Sequence, residues 1–253
     1  MTQPFSLEQF ENHLAAYLKA FDFVQVAWLG GSAATKRRDR FSDTDLMIKV
    51  ENKSDVPQVF EAIEKLFTHQ ITHRWELDFN TVMNFDQRFY VLNTAHPYYY
   101  LDVVIFSESN VDFYNEYLNF FRHGRPVVLF DKIGLFSNDQ NHSRDIDFDI
   151  KNFSAQVEIF YRTTLKEIER NHFVDAFHFY IKFINLYVMF VRFQKSRQRF
   201  DFGLRYLSLD ISKQFSLEIE SLIKIKDLDQ MRFNLNTLNN TLKHLIGQTQ
   251  NST

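Results

Sequence analysis

The chain has no cysteine among its 253 residues. That absence excludes disulfides, a thiolate nucleophile and cysteine-bound zinc, and it suits a cytoplasmic protein. There is no large excess of either charge: 29 Lys and Arg stand against 32 Asp and Glu, a net charge of −3. A dedicated nucleic-acid binder carries a basic stripe for phosphates, so the balance argues against that class. An uninterrupted apolar run is also lacking. The most apolar stretch, residues 173–193, contains Asp175, Lys182, Asn185 and Arg192, which makes it a poor membrane span. Residues 1–8 show no basic region leading into an apolar one, so no signal peptide is expected. Glycine is scarce, at 6 residues, and two of these are adjacent, Gly30 and Gly31.

Aromatic residues are abundant, at 17% of the chain with 29 Phe, and the length allows one large or two modest domains with filled cores. The two halves differ in charge. Residues 1–145 carry 14 basic and 20 acidic side chains, and residues 146–253 carry 15 and 12.

The glycine pair follows Val24–Leu29, an apolar run that reads as a buried strand. A glycine turn after a strand lets the backbone approach a ligand closely, because no Cβ intervenes. The amides of Gly31 and Ser32, with the Ser32 hydroxyl, are then candidates for phosphate oxygens. Ten residues after Ser32 comes a second apolar strand, residues 42–50, which opens with Asp43-Thr44-Asp45. Strand residues two apart share a face, so the two carboxylates point the same way, roughly 6–7 Å apart at the backbone. A third carboxylate, Asp102, interrupts the aromatic and β-branched run at residues 98–106. A charge inside such a strand needs a partner or a cation. If the two strands are neighbours, Asp102 lies about 5 Å from the pair. Carboxylates at that spacing repel by roughly 3 kcal/mol at an effective dielectric near 20. Hard oxygen ligands of this kind favour Mg²⁺, which shares its shell with phosphates.

Gly-Ser, then Asp-x-Asp ten residues on, then a later strand with an isolated Asp resembles the nucleotidyltransferase superfamily of polymerase-beta type. The resemblance is closest to the bacterial aminoglycoside and lincosamide adenylyltransferases. It covers residues 24–106, with a further strand segment at residues 123–134 (HGRPVVLFDKIG) and Arg205-Tyr206-Leu207 in the second half. It departs at one point: family members often carry a glycine four residues after the serine, where this chain has Lys36. The resemblance implies transfer of a nucleoside monophosphate, AMP from ATP or another NTP, to a hydroxyl of a small molecule such as an aminoglycoside-type antibiotic. Asp43, Asp45 and Asp102 would be catalytic and would hold two Mg²⁺ ions. Gly30, Gly31 and Ser32 would hold the triphosphate, with Lys36 or Arg40 on its outer phosphates. Glu158 is a candidate general base by its place in the second domain. Three alternatives share these motifs in whole or in part: transfer to a protein or RNA, a glycosyltransferase using Asp-x-Asp, and a nucleotide-binding module without turnover.

The periodicity predicts an α/β domain with a small mixed sheet over residues 1–145 and an all-helical domain over 146–253, which the resemblance implies to be a nucleotidyltransferase domain and a substrate-binding domain. A helix is expected over 7–21, capped by Ser6, then a short basic helix over 36–40 and another helix over 54–67. Two or three strands are expected between 75 and 106, a helix over 111–121 and a closing strand at 127–130. A polar linker at 137–149 leads to helices over 153–170 and 173–195. Two or more helices follow between 204 and 246, and residues 248–253 are expected to be disordered. On the helix over 173–195, Asp175, His178, Lys182, Asn185 and Arg192 recur at helical spacing as one polar stripe, facing solvent or a substrate. His69 and His73, four apart, lack a third zinc ligand and fall where a helix gives way to a strand.

Overall fold

The computed structural model describes residues 6–77, 85–93, 97–107, 118–137 and 146–250. The chain divides into two compact units, Met1–Arg144 and Asp145–Thr253.

The first unit is built on a six-stranded mixed sheet. Its helices are α1 (Leu7–Lys19), α2 (Gly31–Ala34), α3 (Val56–Leu66) and α4 (Phe120–His123). Its strands are β1 (Val24–Leu29), β2 (Thr44–Val50), β3 (Ile71–Glu76), β4 (Asp86–Leu92), β5 (Tyr100–Phe106) and β6 (Val127–Asp131). Their order across the sheet is β3-β4-β5-β2-β1-β6. Only the β2–β5 pair is parallel; the others are antiparallel. Alternate residues of each strand face opposite sides. Leu46, Ile48, Leu101, Val103, Ile105 and Tyr90 pack with Leu14 and Leu18 of α1 and Val59, Phe60 and Ile63 of α3. The opposite side holds a smaller cluster around Trp28, Met47, Val104 and Phe106, closed by Phe85 and Leu118. Toward β3 and β4 that side is more open: Trp75 is 62% exposed. The edge strand β3 is tied down from the other side, where Glu64 of α3 accepts from Arg74 at 3.1 Å and from Arg88 and Tyr90 at 3.0 Å.

Ser6 caps α1 as expected, accepting from the Gln9 amide, and three strands lie between residues 71 and 106. The region expected as a helix at 111–121 falls largely outside the described residues, and so does most of the linker at 137–149. His69 lies in a turn after α3 and His73 on β3, so the two share no helix face.

The expected basic helix over 36–40 is absent. The helix stops at Ala34, with the Lys36 amide on the Ala33 carbonyl and the Arg37 amide on the Ser32 carbonyl. That crossed pair of bonds terminates a helix and requires a left-handed residue between them. Lys36 supplies it, at φ 56°. The chain therefore turns through a left-handed position at Lys36, which costs a lysine about 1 kcal/mol.

The second unit is helical: α5 (Ile150–Glu169), α6 (Phe173–Lys195), α7 (Leu207–Asp210), α8 (Lys213–Ile223) and α9 (Leu228–Gln250). Residues 248–250, expected to be disordered, continue α9. α6 is its core helix, with Phe183, Ile184, Val188 and Phe190 fully buried among residues of α5 and α9. It is long and apolar enough to cross a membrane by length and composition, but half of its most apolar window is buried in this core. The single polar stripe expected on α6 is corrected. Asp175, His178 and Lys182 are exposed, whereas Arg192 is 0% exposed. At about 100° per residue, Arg192 stands roughly 100° round the axis from Asp175, so it faces the core. Its guanidinium donates to the carbonyls of Gly203 and Arg205 and to the Asp210 carboxylate at 2.8 Å. Asp210, 2% exposed in its side chain, also pairs with Arg199 at 3.2 Å. The Arg205-Tyr206-Leu207 segment is thus part of the scaffold held by Arg192.

Candidate active site

Gly31 meets two demands at once. Its φ is +47°, a left-handed conformation that glycine tolerates. A Cβ there would also lie 1.7 Å from Oδ2 of Asp45. The Asp45 carboxylate therefore sits directly against the glycine turn. The Gly30 amide donates to the Asp45 carbonyl at 2.9 Å, which fixes the end of β1 to the start of β2. Gly124 backs the turn from behind, since a Cβ on it would come within 2.5 Å of the Ala34 backbone. Ser32 adds an orphaned donor: its Oγ is buried and has no hydrogen-bond partner among the described residues. A buried hydroxyl without a partner is costly unless a ligand or water satisfies it.

The parallel register of β2 and β5 places Asp45 directly beside Asp102. Asp43 lies one residue before β2 and accepts a hydrogen bond from the Tyr100 hydroxyl. The three carboxylates identified in the sequence are therefore brought together at one end of the sheet. Burial pushes the Asp102 carboxyl up to about 7; the Gln87 hydrogen bond opposes this, and Asp45 and Asp43 add to it. Gln87 of β4 donates to Asp102 Oδ1 at 2.7 Å. The Tyr100 phenol is pushed up by burial and by its bond to Asp43. Three carboxylates in one place, next to an unsatisfied serine hydroxyl, form a donor set that fits Mg²⁺ and phosphate oxygens.

A buried network sets the segment between α2 and β2. Glu11, 3% exposed on the inner face of α1, takes a two-pronged ion pair from Arg38, at 2.6 and 2.9 Å. The Thr44 hydroxyl donates to Glu11 at 2.9 Å and accepts from Tyr99 at 3.1 Å. Of the basic cluster at 36–40, Arg38 is thus structural. Lys36 is exposed, and Arg40 lies 4.4 Å from the centre of the Phe41 ring. Sequence reading missed Glu11, Gln87 and Tyr100. Glu11 had a signal, a carboxylate on the apolar face of α1 between Leu7 and Leu14.

Glu158 lies on α5 of the helical unit. It accepts from Arg162 at 2.6 Å and lies 3.0 Å from Lys243. These hydrogen bonds, the Arg162 one foremost, hold its carboxyl below the usual range. Such a carboxylate is a weaker proton acceptor, and the ion pairs account for the residue without a catalytic role.

Two tests arise from this geometry. Gly31→Ala is expected to push the Asp45 carboxylate aside and weaken NTP binding by about tenfold or more, with the helical unit still folded. Calorimetric titration with ATP and circular dichroism read the two effects, and unchanged affinity would make the turn purely structural. The second concerns pH without divalent cation. An acid whose folded value is raised favours the folded state fully below its unfolded value, and that contribution is lost as pH climbs to its folded value. Asp102 therefore destabilises the fold increasingly between about pH 4 and pH 7. Asp102→Asn removes the loss, so the variant is expected to gain on the order of 2–3 kcal/mol over wild type above pH 7 and little at pH 4. Denaturant melts at both pH values check this. A variant less stable than wild type at pH 8 would make Asp102 a structural hydrogen-bond acceptor.

No family model and no curated protein sequence matches the chain. Among solved structures, it is similar to a nucleotidyltransferase-like protein from Exiguobacterium sibiricum 255-15. That match has 11% identity and a TM-score of 0.43, and it covers 96% of this chain and 75% of the other.

Proposed function

We propose that this chain is a nucleotidyltransferase that moves a nucleoside monophosphate, AMP from ATP in the first instance, to a hydroxyl of a small molecule. The observation that carries the reading is the juxtaposition of Asp43, Asp45 and Asp102 with Gly31 and the unsatisfied Ser32 hydroxyl. Charge-stabilised phosphoryl chemistry needs hard anionic ligands for a cation and a donor for the phosphate, and these residues offer both.

Asp43, Asp45 and Asp102 are the residues that would hold Mg²⁺. When bound, the ions would neutralise triphosphate charge and polarise the reacting oxygens. The backbone of Gly31 leaves room for the Asp45 carboxylate against the turn, and the Ser32 hydroxyl would donate to a phosphate oxygen. Lys36 and Arg40, both exposed, are the cations near enough in sequence to reach the outer phosphates. Gln87 holds Asp102 by one oxygen and Tyr100 holds Asp43, so both carboxylates are oriented before a ligand arrives.

The test is pyrophosphate release. The protein is incubated with each NTP, Mg²⁺ and a panel of hydroxyl-bearing antibiotics and metabolites. Acceptor-dependent pyrophosphate with a labelled monophosphate adduct is expected. No release with any NTP or acceptor, alongside measurable ATP binding, would leave a binding module instead.

A further inference from the structure

The face of the sheet that carries Asp45 and Asp102 continues toward β3 as a row of aromatic rings. In register, Phe89 of β4 stands beside Asp102, and Trp75 of β3 beside Phe89. Trp75 and Phe89 are stacked, with ring centres 5.2 Å apart at 23°, and the Phe89 and Tyr100 rings are 6.1 Å apart. Trp75 is 62% exposed, Val91 45% and Tyr100 38%. With His73, these residues line an open hollow of about 490 Å³, within the range of small-molecule sites. Among the described residues the hollow has no carboxylate in its lining, and the guanidinium of Arg74, which also lines it, is engaged by Glu64. Tyr100 joins the two regions, since its ring ends the row and its hydroxyl donates to Asp43.

We infer that the acceptor is a hydroxyl compound with a flat aromatic ring, which lies on the Trp75–Phe89–Tyr100 row and points its hydroxyl at the carboxylates. The inference rests on the nucleotidyl-transfer reading and names the substrate class for that site. Flat rings match a stacked aromatic platform by offset packing, whereas a polycationic aminosugar finds no anion among the described residues of the lining. Phe89 is one strand from Asp102, a spacing of about 5 Å, so a ring on the platform places a hydroxyl one or two bonds away beside the site. In the transfer, the acceptor oxygen bonds to the α-phosphorus as the bond to the β-phosphate oxygen breaks. Pyrophosphate leaves with that electron pair, and the hydroxyl proton passes to solvent.

The experiment compares wild type with Trp75→Ala, whose exposed position leaves the fold intact. The probes are 2-(2-naphthyl)ethanol, 2-cyclohexylethanol and an aminoglycoside, followed by calorimetry and tryptophan fluorescence without nucleotide, then by pyrophosphate release with ATP and Mg²⁺. The naphthyl alcohol is expected to quench fluorescence and to bind about tenfold tighter than the cyclohexyl one. Trp75→Ala is expected to lose that advantage and to raise KM for the naphthyl alcohol by about tenfold, with ATP affinity unchanged. Equal affinity for the flat and puckered rings, or affinity unchanged in Trp75→Ala, overturns the inference. So does a dimer in sedimentation that Trp75→Ala dissociates, because the row is then an interface between copies. Transfer to the aminoglycoside at a rate Trp75→Ala does not alter overturns the platform and leaves the transfer reading standing. Ring binding that needs Trp75, without pyrophosphate from any acceptor, removes the transfer reading and the acceptor role with it.

Discussion

Asp45→Asn is expected to lower turnover about a thousandfold, equivalent to about 4 kcal/mol of transition-state stabilisation. The change is nearly isosteric, so the side chain still fits against Gly31 and the Gly30 amide keeps its bond to the residue 45 carbonyl. What is lost is one anionic ligand, at the position where β2 and β5 bring two carboxylates side by side. Asp43→Asn should fall in the same direction, and the Tyr100 hydroxyl can still donate to the amide oxygen. Pyrophosphate release at saturating ATP and Mg²⁺ measures both, with thermal melts to show the fold is unchanged. Turnover within twofold of wild type for both variants would remove the metal role from this pair.

The second large effect lies in the helical unit and bears on stability. Asp210→Ala is expected to cost about 3–5 kcal/mol, the usual penalty for breaking a buried ion pair from one side. Arg192 is 0% exposed and Arg199 7% exposed, so neither guanidinium can turn to water when its counter-charge goes. The three carbonyls that also accept from Arg192 keep it in place and therefore keep its charge buried. Urea unfolding followed by circular dichroism should show a lower midpoint for the helical unit. Arg192→Met, which removes the charge along with its long side chain's polar end, should cost less in combination with Asp210→Ala than the two single losses summed. A midpoint unchanged in Asp210→Ala would mean that water reaches the cluster.

The local signals in the sequence were strong wherever they depended on short-range rules. Ser6 before a helical periodicity marks a cap, and the apolar runs at residues 42–50 and 98–106 mark strands, found at Thr44–Val50 and Tyr100–Phe106. The long helices expected over 153–170 and 173–195 are found at Ile150–Glu169 and Phe173–Lys195. The glycine turn followed by Asp-x-Asp marked Gly31, Asp43 and Asp45 as a group, and a lone charge in an apolar strand marked Asp102. Lys36 shows where such rules failed. Four cations in five positions read as a helix, but the chain leaves the helix there through a left-handed residue, and side-chain pattern carries little information on the sign of φ. Arg192 failed for a related reason, because a polar residue at helical spacing looks solvent-facing until the drift of the helix and the carbonyls of residues 199–205 are known.

What the sequence determined by itself was the inventory: the glycine turn, the two later strands with their carboxylates and the helices that follow. Tertiary structure alone decided that β2 and β5 are parallel neighbours with Asp45 opposite Asp102. It also decided that Glu11 reaches Arg38 and Thr44 over 27 and 33 residues of chain, and that Trp75, Phe89 and Tyr100 fall in one row. Strand pairing and register are set by which faces bury together across long separations, and local propensity along the chain does not specify that choice.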